Sequence, residues 1–246
     1  MNGETETSAV GIREAVEGDF ARVAELISAT QPDPVTEADL LEWEQRVLAG
    51  QIRRRFVGVD AAGQIASYGI VQHTAAMGEG RFYLWVTVDA GRRRCGLGAQ
   101  TYDSALDFAL TQGAATLESE AREDDAAGLR FASQRGFTVI RHIFESAIDL
   151  TTFDVARFGG LLEAVQAGGI RFLSLADVAM DPGYFRQLYE ANFRAVADDP
   201  GSTGDYVSFD DFQQILLGAS WFDPGGQIMA IDAANGAVIG LAAVGF

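Results

Sequence analysis

The residues best suited to chemistry stand together as Arg92-Arg93-Arg94-Cys95-Gly96-Leu97-Gly98-Ala99. An aromatic and β-branched run, Phe82-Tyr83-Leu84-Trp85-Val86-Thr87-Val88, comes just before them and predicts a strand over 81–88. Leu97, Thr101, Ala105, Phe108 and Ala109 follow near one face, which predicts a helix ending at Gly113. Glycines in such a loop let the backbone turn tightly and approach a ligand closely. The free amides and the dipole at the helix start favour an anion, a pyrophosphate above all. Neighbouring arginines add charge-assisted contacts. Two other phosphate motifs are excluded, because the third glycine of G-x-G-x-x-G is missing and no Gly-Lys pair is present.

Few other side chains offer chemistry. Glu79 lies just before the 81–88 strand, and Glu118 and Glu120 lie on a predicted strand over 116–121. Each is a candidate base, directly or through water, although most surface glutamates have no such role. Tyr83 is a candidate acid at its ordinary pKa of ~10, or a core residue. His73 reads as a rim or core histidine. Cys95 sits where a helix start would stabilise a thiolate, but its smallness suffices to explain it. A single cysteine and two distant histidines, His73 and His142, exclude a disulfide scaffold and disfavour a metal centre.

Charge narrows the partners. The 246 residues carry 35 acidic and 18 basic side chains, a formal charge of −17. Every basic residue is arginine, so lysine Schiff-base chemistry is excluded. An acidic chain repels phosphate backbones, which disfavours nucleic acid. With 48% apolar and 22% charged residues the chain is globular. No apolar run approaches the ~20 residues that span a bilayer, and the acidic, polar 1–8 segment is not a secretory signal. A soluble cytoplasmic protein is expected. Arg53-Arg54-Arg55 reads as a solvated turn.

The elements that must position the loop follow in order. A strand over 10–13 leads to a helix opening at 17–19, with Phe20, Val23, Ala24 and Ile27 on one stripe. A loop at 31–35 precedes a helix over 37–48 that Thr36 can cap. A hairpin over 56–73 turns at Asp60-Ala61-Ala62-Gly63. After the loop and its helix come the 116–121 strand, a helix capped by Asp124 or Asp125 and stopped by Gly136, and a long strand over 137–150. The 151–168 segment connects, with Phe158, Leu161, Leu162 and Val165 at helical spacing. The opening then repeats. Gly169-Ile170-Arg171 matches Gly11-Ile12-Arg13, helices over 182–196 and 208–217 follow, and a hairpin over 227–246 turns at Asp232-Ala233-Ala234-Asn235-Gly236. Such self-similarity predicts two copies of one fold, the second without a phosphate loop. The 237–246 strand would expose an edge, so a homodimer or an internal interface is expected to cover it. Asp198, Asp199, Asp205, Asp210 and Asp211 form a solvated loop or line a cleft for a cation.

The sequence resembles the GNAT superfamily of acyl-CoA-dependent N-acyltransferases, over 10–150 throughout and over 169–246 in part. The resemblance rests on Arg93-Arg94-Cys95-Gly96-Leu97-Gly98, which fits R/Q-x-x-G-x-G/A, and on Arg135-Gly136-Phe137. It implies an α/β (α+β) fold, a mixed, mostly antiparallel sheet flanked by helices, followed by a partial second copy. The implied domains are an acetyl-CoA-binding domain over 1–150, a connector over 151–168 and a partial domain over 169–246. It implies that Arg93, Arg94, Cys95, Gly96, Leu97, Gly98 and Ala99 hold the pyrophosphate of acetyl-CoA. Val86, Thr87 and Val88 would offer main-chain groups to the pantetheine arm. Asp125 stands where the family often has an asparagine, and Ala132, beside Phe131, where it often has a tyrosine acid. The implied activity is acetyl transfer to a small primary amine by direct attack on the thioester. Glu118, Glu79 and Tyr83 are the catalytic candidates, with no metal, nucleic acid or membrane involved. An acyl-CoA-binding module without turnover is the alternative, and a peptide N-terminal acetyltransferase a third reading.

Overall fold

Phe20, Val23, Ala24, Leu26 and Ile27 recur at the helical period, and all five are buried on one side of α1 (Phe20–Ser28). The computed structural model describes residues 11–31, 33–48, 50–144, 146–199, 202 and 204–245. Readings that fall on 1–8, Val10, Pro32, Glu145, Pro200, Gly201 and Phe246 lie outside these residues. The chain divides into two compact units, Met1–Gln134 and Arg135–Phe246.

The first unit runs β1 (Gly11–Glu14), α1, α2 (Glu37–Gln45), β2 (Ile52–Val59), β3 (Ile65–His73), β4 (Arg81–Val88), α3 (Leu97–Thr111), β5 (Thr116–Glu118) and α4 (Ala126–Ser133). The strands form one sheet in the order β1-β2-β3-β4-β5, antiparallel except where β4 meets β5. Thr36 starts α2 by accepting from the Asp39 amide while Asp39 accepts in return. On one face of the sheet, Val57 and Tyr68 pack with Leu40 of α2 and the apolar side of α1. Each large side chain buried there contributes about 1.5–3 kcal/mol relative to exposure. The adjacent Ser67 points to the other face, as strand alternation requires, and shares a hydrogen bond of 2.7 Å with Thr101 of α3. There α3 buries Leu97, Thr101, Ala105 and Ala109.

The second unit runs α5 (Leu161–Ala167), β6 (Ile170–Ser174), α6 (Pro182–Ala197), α7 (Phe209–Leu217), β7 (Gln227–Asp232) and β8 (Val238–Ala243). Its sheet is antiparallel in the order β6-β7-β8. Its core holds Leu175, Phe185, Leu188, Phe212, Leu216, Met229, Ile231 and Val238. From β6 onward it follows the strand-helix-helix-hairpin order that opens the first unit. The expected fold class therefore stands, a mixed and mostly antiparallel sheet flanked by helices, with a second, smaller sheet after it.

Three expectations change. Arg53, Arg54 and Arg55 are not a turn but part of β2. Arg55 is buried, bonds its Nε to the Tyr68 hydroxyl at 3.1 Å and pairs with Glu44. The guanidinium of Arg54 lies 4.4 Å from the Phe108 ring centre, within cation–π range. Residues 137–150 have the composition of a strand, but the described ones, 137–144 and 146–150, form no regular element, and Val139, Ile140, Ile143, Phe144, Ile148 and Leu150 are exposed. β-branched residues fit a pleated surface only where a neighbouring edge supplies hydrogen bonds, and none does among the described residues. β5 stops at Glu118 rather than 121.

Candidate active site

The loop after β4 is shaped by two aspartates and two left-handed residues. Asp89 accepts from the Gly91 amide at 2.9 Å and opens a single 3-10 turn, Ala90–Arg92. Arg94 has φ +68° and Gly96 has φ +84°. Glycine takes that conformation without the clash that costs other residues roughly 1–2 kcal/mol. Gly98 serves a different need. A Cβ there would lie 3.1 Å from Val88 Cγ2 and 3.6 Å from Phe131, so the second glycine lets α3 begin hard against the end of β4.

No side chain caps α3. Its first helical bond runs from the Gln100 amide to the Gly96 carbonyl, which leaves the amides of Leu97, Gly98 and Ala99 without helical acceptors. At the start of α4, by contrast, Asp125 accepts from the Ala127 and Gly128 amides at 3.1 Å each. The residues from Arg92 to Gly96 are exposed. Cys95 is exposed as well, its thiol directed at the Arg93 carbonyl. Arg93 and Arg94 carry no ion pair among the described residues, whereas Arg92 donates to Asp60 at 2.8 Å. A cavity of about 470 Å³ adjoins the loop, lined by Arg93, Arg122, Asp124, Asp125 and the end of α1 at Thr30 and Gln31. That volume lies within the range of small-ligand sites. An uncapped helix start, two unneutralised guanidinium groups and this cavity together suit a diphosphate ester.

β4 and β5 part beyond Tyr83. Their pairing covers only Arg81↔Thr116, Phe82↔Leu117 and Tyr83↔Glu118, while β4 stays paired to β3 as far as Val88. The edge of β4 from Leu84 to Val88 therefore lacks a neighbour on the β5 side, and it holds Val86, Thr87 and Val88. Tyr83 and Glu118 face one another where the split begins. At ~3.3 Å per residue they sit roughly 17 Å from the loop end of β4. Burial first, then the Glu120 carboxylate and Tyr68, push the Tyr83 phenol well above its ordinary value. Glu118 pairs with Arg81 at 3.2 Å. Glu79 lies in the exposed turn before β4, at the strand's far end from the loop, and is not brought to Tyr83 and Glu118. His73 bonds through Nδ1 to the Arg81 carbonyl at 2.8 Å and packs on Phe82, which is the structural role expected of it.

Residues 20–137 match the family described as "Acetyltransferase (GNAT) family". Over that stretch the chain is similar to GNAT acetyltransferases. A GCN5-related N-acetyltransferase from Sphaerobacter thermophilus is 18% identical with a TM-score of 0.61, covering 94% of this chain and 70% of that one. A transcriptional regulator from Bacillus halodurans C-125 is 18% identical with a TM-score of 0.47, over 57% of this chain and 100% of that one. An aminoglycoside 6'-N-acetyltransferase from Acinetobacter baumannii is 15% identical with a TM-score of 0.46, over 58% of this chain and 99% of that one. Comparison with curated protein sequences gives no match.

The first unit places beside the loop several side chains that sequence reading missed. Arg122 lines the cavity, and Arg22, Asp60 and Asp89 surround the loop. Only Asp60 left a trace in the sequence, as the head of an Asp-Ala-Ala-Gly turn. Arg122 pairs locally with Asp124 and Arg22 with Glu25, whereas the contacts of Arg22 with Asp89 and Ile65 are set by the fold. No helix among the described residues is long and apolar enough to cross a membrane, and no cluster of three metal-ligating side chains is present among them.

Proposed function

We propose that the protein is an acetyl-CoA-dependent N-acetyltransferase acting on a small primary amine. The observation that carries this reading is the uncapped start of α3 beside Arg93 and Arg94, which form no ion pair among the described residues. In it the amides from Gly96 to Ala99 bind the coenzyme's diphosphate and the two guanidinium groups neutralise it. The open edge of β4 at Val86, Thr87 and Val88 receives the pantetheine arm, which brings the thioester to the split between β4 and β5.

There the amine nitrogen bonds to the thioester carbonyl carbon, the carbon–sulfur bond breaks, and the amine gives up a proton. Tyr83, which faces Glu118 where the strands part, returns a proton to the departing thiolate. The carboxylate of Glu118, oriented by Arg81, accepts the amine's proton through water. A β4 amide at the split stabilises the oxyanion. Glu79 takes no part in this reading, and Asp125, committed to capping α4, contributes to the cavity wall. The acidic chain suits a cationic acceptor. In the same reading the coenzyme domain and its connector are followed by a partial copy over 169–246, and the free edge of β8 pairs with a second copy of the chain.

Titration calorimetry with acetyl-CoA, followed by free-thiol release across a panel of primary amines, tests the proposal. Saturable binding with amine-dependent thiol release is expected. Binding without release from any amine would favour a coenzyme-binding module without turnover. Light scattering reads the assembly, with a dimer expected and a monomer at every concentration contradicting it.

A further inference from the structure

Three consecutive arginines follow β4, yet only two of them are available to an anion. Arg92 Nε donates to Asp60 Oδ2 at 2.8 Å. The other oxygen of Asp60 accepts from the Ala62 and Gln64 amides at 2.9 and 3.0 Å, which fixes the turn between β2 and β3. One carboxylate thus locks its own turn and reaches across to the loop. The loop's beginning is tied to the same hairpin. Arg22 of α1 donates to Asp89 at 2.5 Å and to the Ile65 carbonyl at 3.1 Å, and the Asp89 amide donates to the Ala66 carbonyl at 2.8 Å. The 3-10 turn over Ala90–Arg92 is therefore held at both ends by β2–β3, and the left-handed Arg94 and Gly96 come immediately after it. Left-handed backbone at a non-glycine residue persists only where the surroundings hold it.

The second unit supplies an internal comparison. Asp232 heads the turn between β7 and β8 and accepts from the Ala234 amide at 2.8 Å, much as Asp60 does at its own turn. Its remaining oxygen is used locally, by Asn235 Nδ2 at 2.9 Å. The hairpin turn by itself does not call for a distant arginine. Asp60 has one where a glycine loop lies nearby.

We propose that Asp60, acting through Arg92, is a positioning residue that holds the loop over 89–96 in its anion-receiving shape, while Arg93 and Arg94 supply the charge. This rests on the coenzyme reading of that loop. The proposal has a sign that simple electrostatics does not share. Removing the negative charge of Asp60 raises the local positive potential and frees Arg92, which by charge alone would tighten anion binding. If Asp60 positions the loop, its removal weakens binding.

The test is titration of coenzyme A into the wild type, Asp60→Asn, Arg92→Gln and the double variant, with amide hydrogen exchange of the ligand-free proteins. Asp60→Asn is expected to weaken coenzyme affinity about tenfold, the effect of a slightly misplaced loop, while kcat at saturating coenzyme keeps its value. The double variant should lose no more than the weaker single, because the two residues act as one unit. Exchange at Gly91, Arg92 and Arg93 should quicken while β2 and β3 keep their protection, which also shows that the variants fold. Coenzyme binding unchanged or tighter in Asp60→Asn, additive losses in the double variant, or unaltered loop exchange would each overturn the proposal. A wild type that binds no coenzyme A would instead overturn the coenzyme reading, and the exchange data would still report whether Asp60 holds the loop.

Discussion

Asp60 and Asp232 head turns of one build, each aspartate accepting from the amide two residues on and each turn closing on a left-handed glycine, Gly63 and Gly236. Before each hairpin come a strand and two helices, and both units bury an aromatic and aliphatic core between those helices and the hairpin. Beyond the hairpin they differ. The first unit continues with β4, the arginine-glycine loop and α3, and its sheet reaches five strands, whereas the described residues of the second end with a three-stranded sheet. In the proposed reading the shared block serves as a scaffold. The proposed coenzyme site enters with the appended strand, after which α3 begins without a side-chain cap. A left-handed glycine at a helix start is not sufficient either. Gly160, with φ +76°, stands before α5 much as Gly96 stands before α3, and beside Gly96 lie a cavity and two arginines that form no ion pair among the described residues.

The largest effect that would break this comparison is expected at Gly96. Gly96→Asp puts a carboxylate among the anion-binding amides and should abolish detectable coenzyme binding by calorimetry, at a stability cost of about 1–2 kcal/mol for the left-handed backbone. Gly236→Asp, at φ +74° in open space, should cost similar stability in a thermal melt and leave coenzyme affinity unchanged. Next in size, Tyr83→Phe should lower kcat about 100-fold with little change in coenzyme affinity, the usual weight of a general acid. Because Tyr83 is held above its ordinary pKa, kcat should show no loss from its ionisation as pH rises toward ~10. Arg93→Ala and Arg94→Ala should each weaken coenzyme binding about tenfold, ~1.4 kcal/mol, with a shallower salt dependence. The smallest effect concerns acid. The Gln64 amide and then Arg92 hold the Asp60 carboxyl below its ordinary value, as Arg22 and then the Gly91 amide do for Asp89. Their contribution is therefore complete above about pH 4 and is lost as pH falls through the lowered folded values. Loop exchange measured across that window should quicken on acidification.

Much of the scaffold was legible because its signals are local. The run from Arg81 to Val88 forms β4 with the expected bounds, and the apolar stripe of α1 is buried as its period requires. The helix expected from Ser208 forms as α7, starting one residue later, and Asp125, one of the two candidates, caps α4. What escaped depends on distant partners. Arg53, Arg54 and Arg55 read as a solvated run because the groups that receive them, Trp43 and Gln72 for Arg53, Phe108 for Arg54, and Glu44 and Tyr68 for Arg55, are 10 or more residues away in sequence. Residues 137–150 show the opposite failure, since strand composition was plain but a strand also needs an edge to pair with. In the site, the glycine pattern marked the loop, and the two glycines serve separate needs that spacing alone does not distinguish. The division of labour among the three arginines was hidden, because it is set by Asp60, 32 residues from Arg92.

Amide chemical shifts followed during a coenzyme A titration of the full chain test the central claim most directly. The account predicts saturable shifts concentrated at Cys95, Gly96, Leu97, Gly98 and Ala99, with none at Gly160, Leu161 and Leu162. Shifts that bypass the start of α3 while coenzyme A still binds would contradict it.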